Sequence, residues 1–112
     1  MSKLLVLAGG VVKAPKGAGI RAFSAYVVLS AGTNSRVFRV RGTPDAPVVD
    51  EMPAATTLDI KRFQTELQTD LQPALDDLRM HGHPVYIELS RPDWVCSFVK
   101  RHLKATEGID VD

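Results

Sequence analysis

Positions 1–44 hold seven basic residues and no acid, and six of the seven, Lys13, Lys16, Arg21, Arg36, Arg39 and Arg41, fall in two short neighbouring stretches. Cations at this spacing can neutralise successive phosphates of a nucleic-acid backbone, or meet an acidic patch on a protein. Positions 45–99 have the opposite character, with ten acids against Lys61, Arg62, Arg79 and Arg91, so the two segments carry +7 and −6 within a chain whose net charge is +1. A surface of one sign raises encounter rates with the other sign. The same asymmetry arises if the two segments pack side by side and neutralise each other. Tyr26 is the best aromatic platform for a base, too little for sequence-specific reading. A solvated edge strand protected from aggregation by its charges is the plain structural alternative.

Other residues able to do chemistry are sparser. Glu88, Glu66 and the pair Asp50 and Glu51 could converge on a metal ion, but Lys3 to Val12 offers no acid. His81 and His83 flank a glycine, a spacing more common in a solvent-facing turn than in a metal site. "GGVVKAPKGAG" lacks both the Gly-Lys-Ser/Thr of a phosphate loop and the Gly-x-Gly-x-x-Gly of a dinucleotide site. Cys96 is the single cysteine, so no internal disulfide forms, which fits a reducing cytosol. No metal, cofactor or catalytic set is expected, and the expected location is cytoplasmic.

At 112 residues the chain is long enough for one core. No run approaches the ~18 apolar residues of a membrane span, and "KLLVLAGGVV" is better used as a buried strand than as a signal peptide. Lys3 to Val12 reads as a central strand apolar on both faces. "FSAYVVLS", "AGTN" and "SRVFRVRG" read as a β-hairpin with Arg39 and Arg41 on one face. "TPDAPVVDEMPAA", with three prolines, reads as a loop or lid.

From Thr56 the period becomes 3.6, with Ile60, Phe63, Leu67, Leu71, Ala74, Leu75 and Leu78 on one stripe. Thr56 and Asp59 approximate a capping box, Gly82 marks the stop, and Pro73 predicts a kink near Thr69 to Pro73. "PVYIELS" is a further strand with Val85, Ile87 and Leu89 on one face. "SRPDWVCSFVKRHLKA" is a second helix, with Ser90 as N-cap and Pro92 in its first turn.

The resulting order, β-β-β-α-β-α, resembles the ribonuclease H fold. "LLVLAGGVVKAPKGAG" looks like the family's first strand and glycine-rich loop. "TTLDIKRFQTELQTDLQPALDDL" takes the place of its first helix. "PVYIELSRPDWVCSFV" resembles the strand, Thr-Asp-Ser and aromatic-Val junction, with Ser90, Arg91 and Pro92 in the Thr-Asp-Ser positions and Trp94-Val95 as the aromatic-Val pair.

The resemblance covers about residues 3 to 104 and lacks the family's C-terminal elements. It implies an α/β domain with a mixed sheet over residues 1–106 and a tail at 107–112. It also implies two-metal chemistry on clustered carboxylates. Carried over, those positions fall on Ala8, on Arg91 and between Lys61 and Gln64. Neither alanine nor arginine can ligate Mg²⁺, which takes hard oxygen ligands.

The expectation is therefore a non-catalytic binding module, acting as a protein-interaction or inhibitory accessory of the kind phages and mobile elements carry. The second reading is a non-catalytic nucleic-acid binder using the basic hairpin, and the third a divergent metal-dependent nuclease. No membrane partner is expected, and oligomeric state is left open.

Overall fold

The computed structural model describes residues 2–13, 19–82 and 85–111. Its elements run β1 (Ser2–Lys13), β2 (Ile20–Ala31), β3 (Asn34–Thr43), β4 (Ala46–Glu51), α1 (Ile60–Met80), β5 (Ile87–Leu89) and α2 (Val95–Glu107). The five strands form one sheet in the order β4-β3-β2-β1-β5. The fold is α/β, as the sequence predicts. The expected β2–β3 hairpin is present, closing at the Ala31–Asn34 pair around Gly32, whose φ of 65° is the left-handed conformation a two-residue hairpin turn needs.

Two corrections are linked. Residues 46–51, part of the three-proline stretch read as a loop or lid, form an edge strand whose register runs from Thr43–Ala46 to Phe38–Glu51. Proline is tolerated there because one side of an edge strand needs no ladder donor, and Pro47 sits on that edge. The extra strand adds one reversal of chain direction before α1, so β5 enters antiparallel to β1. Every strand pairing is antiparallel, and the expected mixed sheet is replaced by an antiparallel one. The order β-β-β-α-β-α becomes β-β-β-β-α-β-α.

Each face of the sheet is covered by one helix. Phe63, Leu67, Leu71, Leu75 and Leu78 of α1 pack on Ala8, Val12, Tyr26, Val28 and Val37, whereas Val95, Val99 and Leu103 of α2 pack on Val6, Val11, Phe23, Val27, Phe38 and Val40. The alternation in β2 thus separates two cores, because Phe23, Ala25, Val27 and Leu29 face α2 while Tyr26 and Val28 face α1. In β1 the register shifts between Val6 and Ala8, a bulge that puts Leu7 and Ala8 on the same side. "GG" in this strand serves close approach. A Cβ on Gly9 would stand 2.7 Å from the carbonyl oxygen of Ser90, and one on Gly10 2.9 Å from Leu67.

Helix starts differ from expectation. Asp59, rather than Thr56, caps α1, its carboxylate accepting from the Arg62 amide at 3.2 Å; Thr56 instead donates its hydroxyl to the Pro53 carbonyl. The helix runs unbroken through Pro73. Gly82, just past its end, has a φ of 78°.

Ser90 is not the cap of α2. Its amide donates to the Gly9 carbonyl at 3.0 Å, prolonging the β5–β1 contact, and the helix starts five residues later at Val95. At its end Gly108 takes a left-handed φ of 67°, and the Gly108 and Ile109 amides bond back to Lys104 and Leu103. That turn sends Ile109 and Val111, in the stretch read as a tail, against the α2-side core.

Candidate binding surface and its charges

Arg39 and Arg41 share one face of β3, as alternation requires, and it is the face beneath α1. They stand opposite Tyr26 and Ser24 of β2. Arg39 ion-pairs with Asp70 of α1, and Arg41 reaches Asp70 at 3.9 Å and Asp50 of β4 at 3.8 Å. The fully buried Ser24 donates to Asp70 at 3.2 Å, and the equally buried Tyr26 donates its hydroxyl to Glu66 at 2.8 Å. Glu66 also accepts from Arg62 one helical turn away.

The result is a polar layer between α1 and the sheet, made from cations of the first segment and acids of the second. Burial, reinforced by the Glu66 carboxylate, pushes the Tyr26 phenol up to about 12. The hydrogen bond from Tyr26, followed by that from Arg62, holds Glu66 below the usual carboxylate range. The Nε of Arg39 is buried in this layer without a partner.

Arg36 lies near the other end of β3. Its guanidinium makes two contacts of 2.8 Å to Glu51 on β4 and contacts of 3.0 and 2.7 Å to Glu107 at the end of α2, while lying 5.2 Å from the centre of the Phe38 ring. This arginine therefore ties β3, β4 and α2 together. Its hydrogen bonds hold both carboxylates below their ordinary values.

Lys13 pairs with Glu88 across the β1–β5 contact at 2.9 Å. Arg21 lines an open cleft with Asp77 and His81 and makes no ion pair among the described residues. Lys16 and His83 lie outside the described residues. Four of the six candidate cations are thus paired with acids from beyond position 44. The charge segregation of the sequence closes on itself across the sheet.

The candidate acids do not converge. Asp50 and Glu51 sit on one edge strand and Glu88 on the other, four inter-strand spacings or about 19 Å apart. Among the described residues no group of three His, Cys, Asp or Glu side chains is placed to hold a metal ion. Ala8 is buried opposite Tyr26, and Arg91 is exposed beyond β5.

His81 contacts the Asp77 carbonyl through Nδ1 at 2.8 Å, and His102 packs edge-on near Phe38. Gly9 and Gly10, from the glycine-rich run, lie inside a strand and meet protein atoms. No helix among the described residues is long and apolar enough to cross a membrane.

The sequence reading missed exposed apolar side chains around β5. Tyr86 is 68% exposed, Leu89 50% and Trp94 36%. Alternation in "PVYIELS" puts Leu89 on the face of Val85 and Ile87, but the strand is only three residues long at the sheet edge, and Leu89 lies at its end. The pattern gives the face and not the cover above it. Comparison of the chain with protein-family models, with curated proteins and with solved structures returns no match.

Proposed function

We propose that the chain is a non-catalytic binding module whose partner is a protein, engaged through the β5 edge and the connection leaving it. One observation carries this reading. Four of the six cations suited to a phosphate backbone pair with acids of the same chain, whereas Tyr86, Leu89 and Trp94 stand out to solvent around one sheet edge. Exposed aromatic and aliphatic groups are frequent anchors of protein interfaces. An inhibitory or accessory role, of the phage or mobile-element kind, suits a small domain of this composition.

Likeness to ribonuclease H belongs to the same proposal. The contiguous β3-β2-β1-β5 order and the helix between β4 and β5 support it, and the antiparallel β5 counts against it. Nucleic-acid binding is the second reading, favoured by the long Arg41 contacts and by Arg21 in its open cleft.

The test is affinity capture from a host lysate with and without nuclease, using wild type and a Tyr86→Ala, Leu89→Asp variant. The proposal expects one stoichiometric protein that survives nuclease and is lost with the variant. Captured material that disappears on nuclease treatment overturns it in favour of the second reading.

A further inference from the structure

β1 is twelve residues long and is paired along one side with β2, but on its other side β5 covers only Gly10 to Val12, with Ser90 adding one bond to Gly9. Among the described residues, the stretch from Ser2 to Ala8 has no strand on that side, and no backbone bond outside β2 reaches it. Along these seven residues, about 23 Å of strand edge, the alternate amides and carbonyls that turn away from β2 therefore have no backbone partner among the described residues.

The side chains are as unusual as the backbone. Leu4 and Val6 point to the α2 side, and Leu5 and Leu7 to the α1 side. Leu5 is 54% exposed, and Lys3 is the one charge in the stretch.

We propose that this edge pairs with the same edge of a second copy, antiparallel about a two-fold axis at Leu5, joining two five-stranded sheets into one of ten strands. Leu5 is the middle of the open stretch, so a two-fold axis there satisfies both open edges at once, whereas a different partner would have to supply a matching strand. The strand best matched to this edge is β1 itself, apolar on both faces over the same residues.

In this register Leu5 faces Leu5 of the other copy and Lys3 faces Leu7. The two Lys3 side chains are kept about 13 Å apart, beyond the roughly 8 Å screening length at physiological salt. An interface of this kind is isologous and closes at two copies. The opposite sheet edge is less suited, because β4 carries Pro47, Asp50 and Glu51. The inference goes beyond the proposed protein partner and does not depend on it.

Sedimentation velocity over a wide concentration range tests the proposal on the whole chain. Wild type should move from 12.2 kDa toward twice that mass. Leu5→Lys, a change at a half-exposed position that should leave the circular dichroism and the Tm of the dilute monomer nearly unchanged, should weaken association at least about tenfold.

In a Cys96→Ala background, Leu5→Cys should form a cross-linked dimer under mild oxidation or with a short thiol cross-linker, because directly opposed Cβ atoms lie about 5 Å apart. Val48→Cys, on the other edge, should not. A monomer at every concentration, a dimer indifferent to Leu5→Lys, or cross-linking through Val48→Cys in place of Leu5→Cys each overturns the proposal. The first of these outcomes would make Lys3 and the Leu7 bulge devices that keep the edge single.

Discussion

Asp70 in the middle of α1 holds Arg39 in the middle of β3, 31 residues away in sequence, and accepts the hydroxyl of Ser24 with its other carboxylate oxygen. One acid thus links α1 to β2 and β3 and forms with Arg39 a partly buried pair whose side chains keep 23% and 16% of their exposure. Asp70→Asn should leave the Arg39 charge poorly compensated and cost about 2 kcal/mol, less than for a fully buried pair because water reaches both groups. Replacing both, Arg39→Met with Asp70→Leu, should cost less than the single change. Urea unfolding of the three variants checks the order.

Gly9→Ala and Gly10→Ala should differ. The new methyl at position 9 meets a backbone oxygen at 2.7 Å and the Pro92 ring at 3.0 Å, so β1 and the β5–α2 connection must separate. At position 10 the nearest atoms are the ends of Leu67 and Leu71, which can turn aside. Overpacking costs of about 1–3 kcal/mol are expected, with Gly9→Ala at the upper end and Gly10→Ala at the lower. Thermal melts of the two proteins should keep that ranking.

Two aromatic truncations should separate a core position from a rim one. Phe63 is fully buried and stacks on Tyr26 with ring centres 4.3 Å apart. Phe63→Ala should remove about 3–5 kcal/mol. Trp94 meets Phe23 edge-on at 5.0 Å but keeps a third of its surface in water, so Trp94→Ala should cost roughly half as much. Equal losses would mean that Trp94 is better covered than its 36% exposure indicates.

The pH dependence carries a sign. The phenol of Tyr26 is raised in the folded chain from 10.0 to about 12, so folding favours its neutral form. Its contribution to stability is complete below pH 10 and is lost as pH rises through about 12. Glu51 and Glu107 act at the other end of the scale. Arg36 lowers both, so their contribution is present above the ordinary carboxylate value of 4.5 and is lost as pH falls through the lowered values. Arg36→Gln should flatten the acid limb of the stability curve, and Glu66→Gln should shorten the alkaline one.

Much of this fold is legible because periodicity reports which face of an element is buried. Phe63, Leu67, Leu71, Leu75 and Leu78 mark α1, and the two alternating sets of β2 mark two cores. β4 was not legible, because Pro47 is a breaker in a central strand and harmless on an edge, a difference fixed by tertiary position. Missing that strand reversed the direction of β5.

The six cations were legible as a set, but their pairing was not. Alternation places Arg39 and Arg41 on one face of β3 without saying that Asp70 and Glu66 of α1 lie across from them.

A protein partner, rather than a nucleic acid, follows only if those arginines are engaged within the fold. The most direct measurement is fluorescence anisotropy of labelled single-stranded and duplex DNA titrated with wild type and with Asp70→Asn, from about 50 to about 200 mM salt. Wild-type binding should be weak, no tighter than the ~10⁻⁴–10⁻⁶ M of non-specific contacts at physiological salt, and should become tighter and more salt-dependent once Asp70→Asn releases Arg39. Sub-micromolar wild-type binding at physiological salt, with a log-log salt slope that shrinks by about one on Arg39→Ala, would contradict this and make the hairpin a nucleic-acid surface.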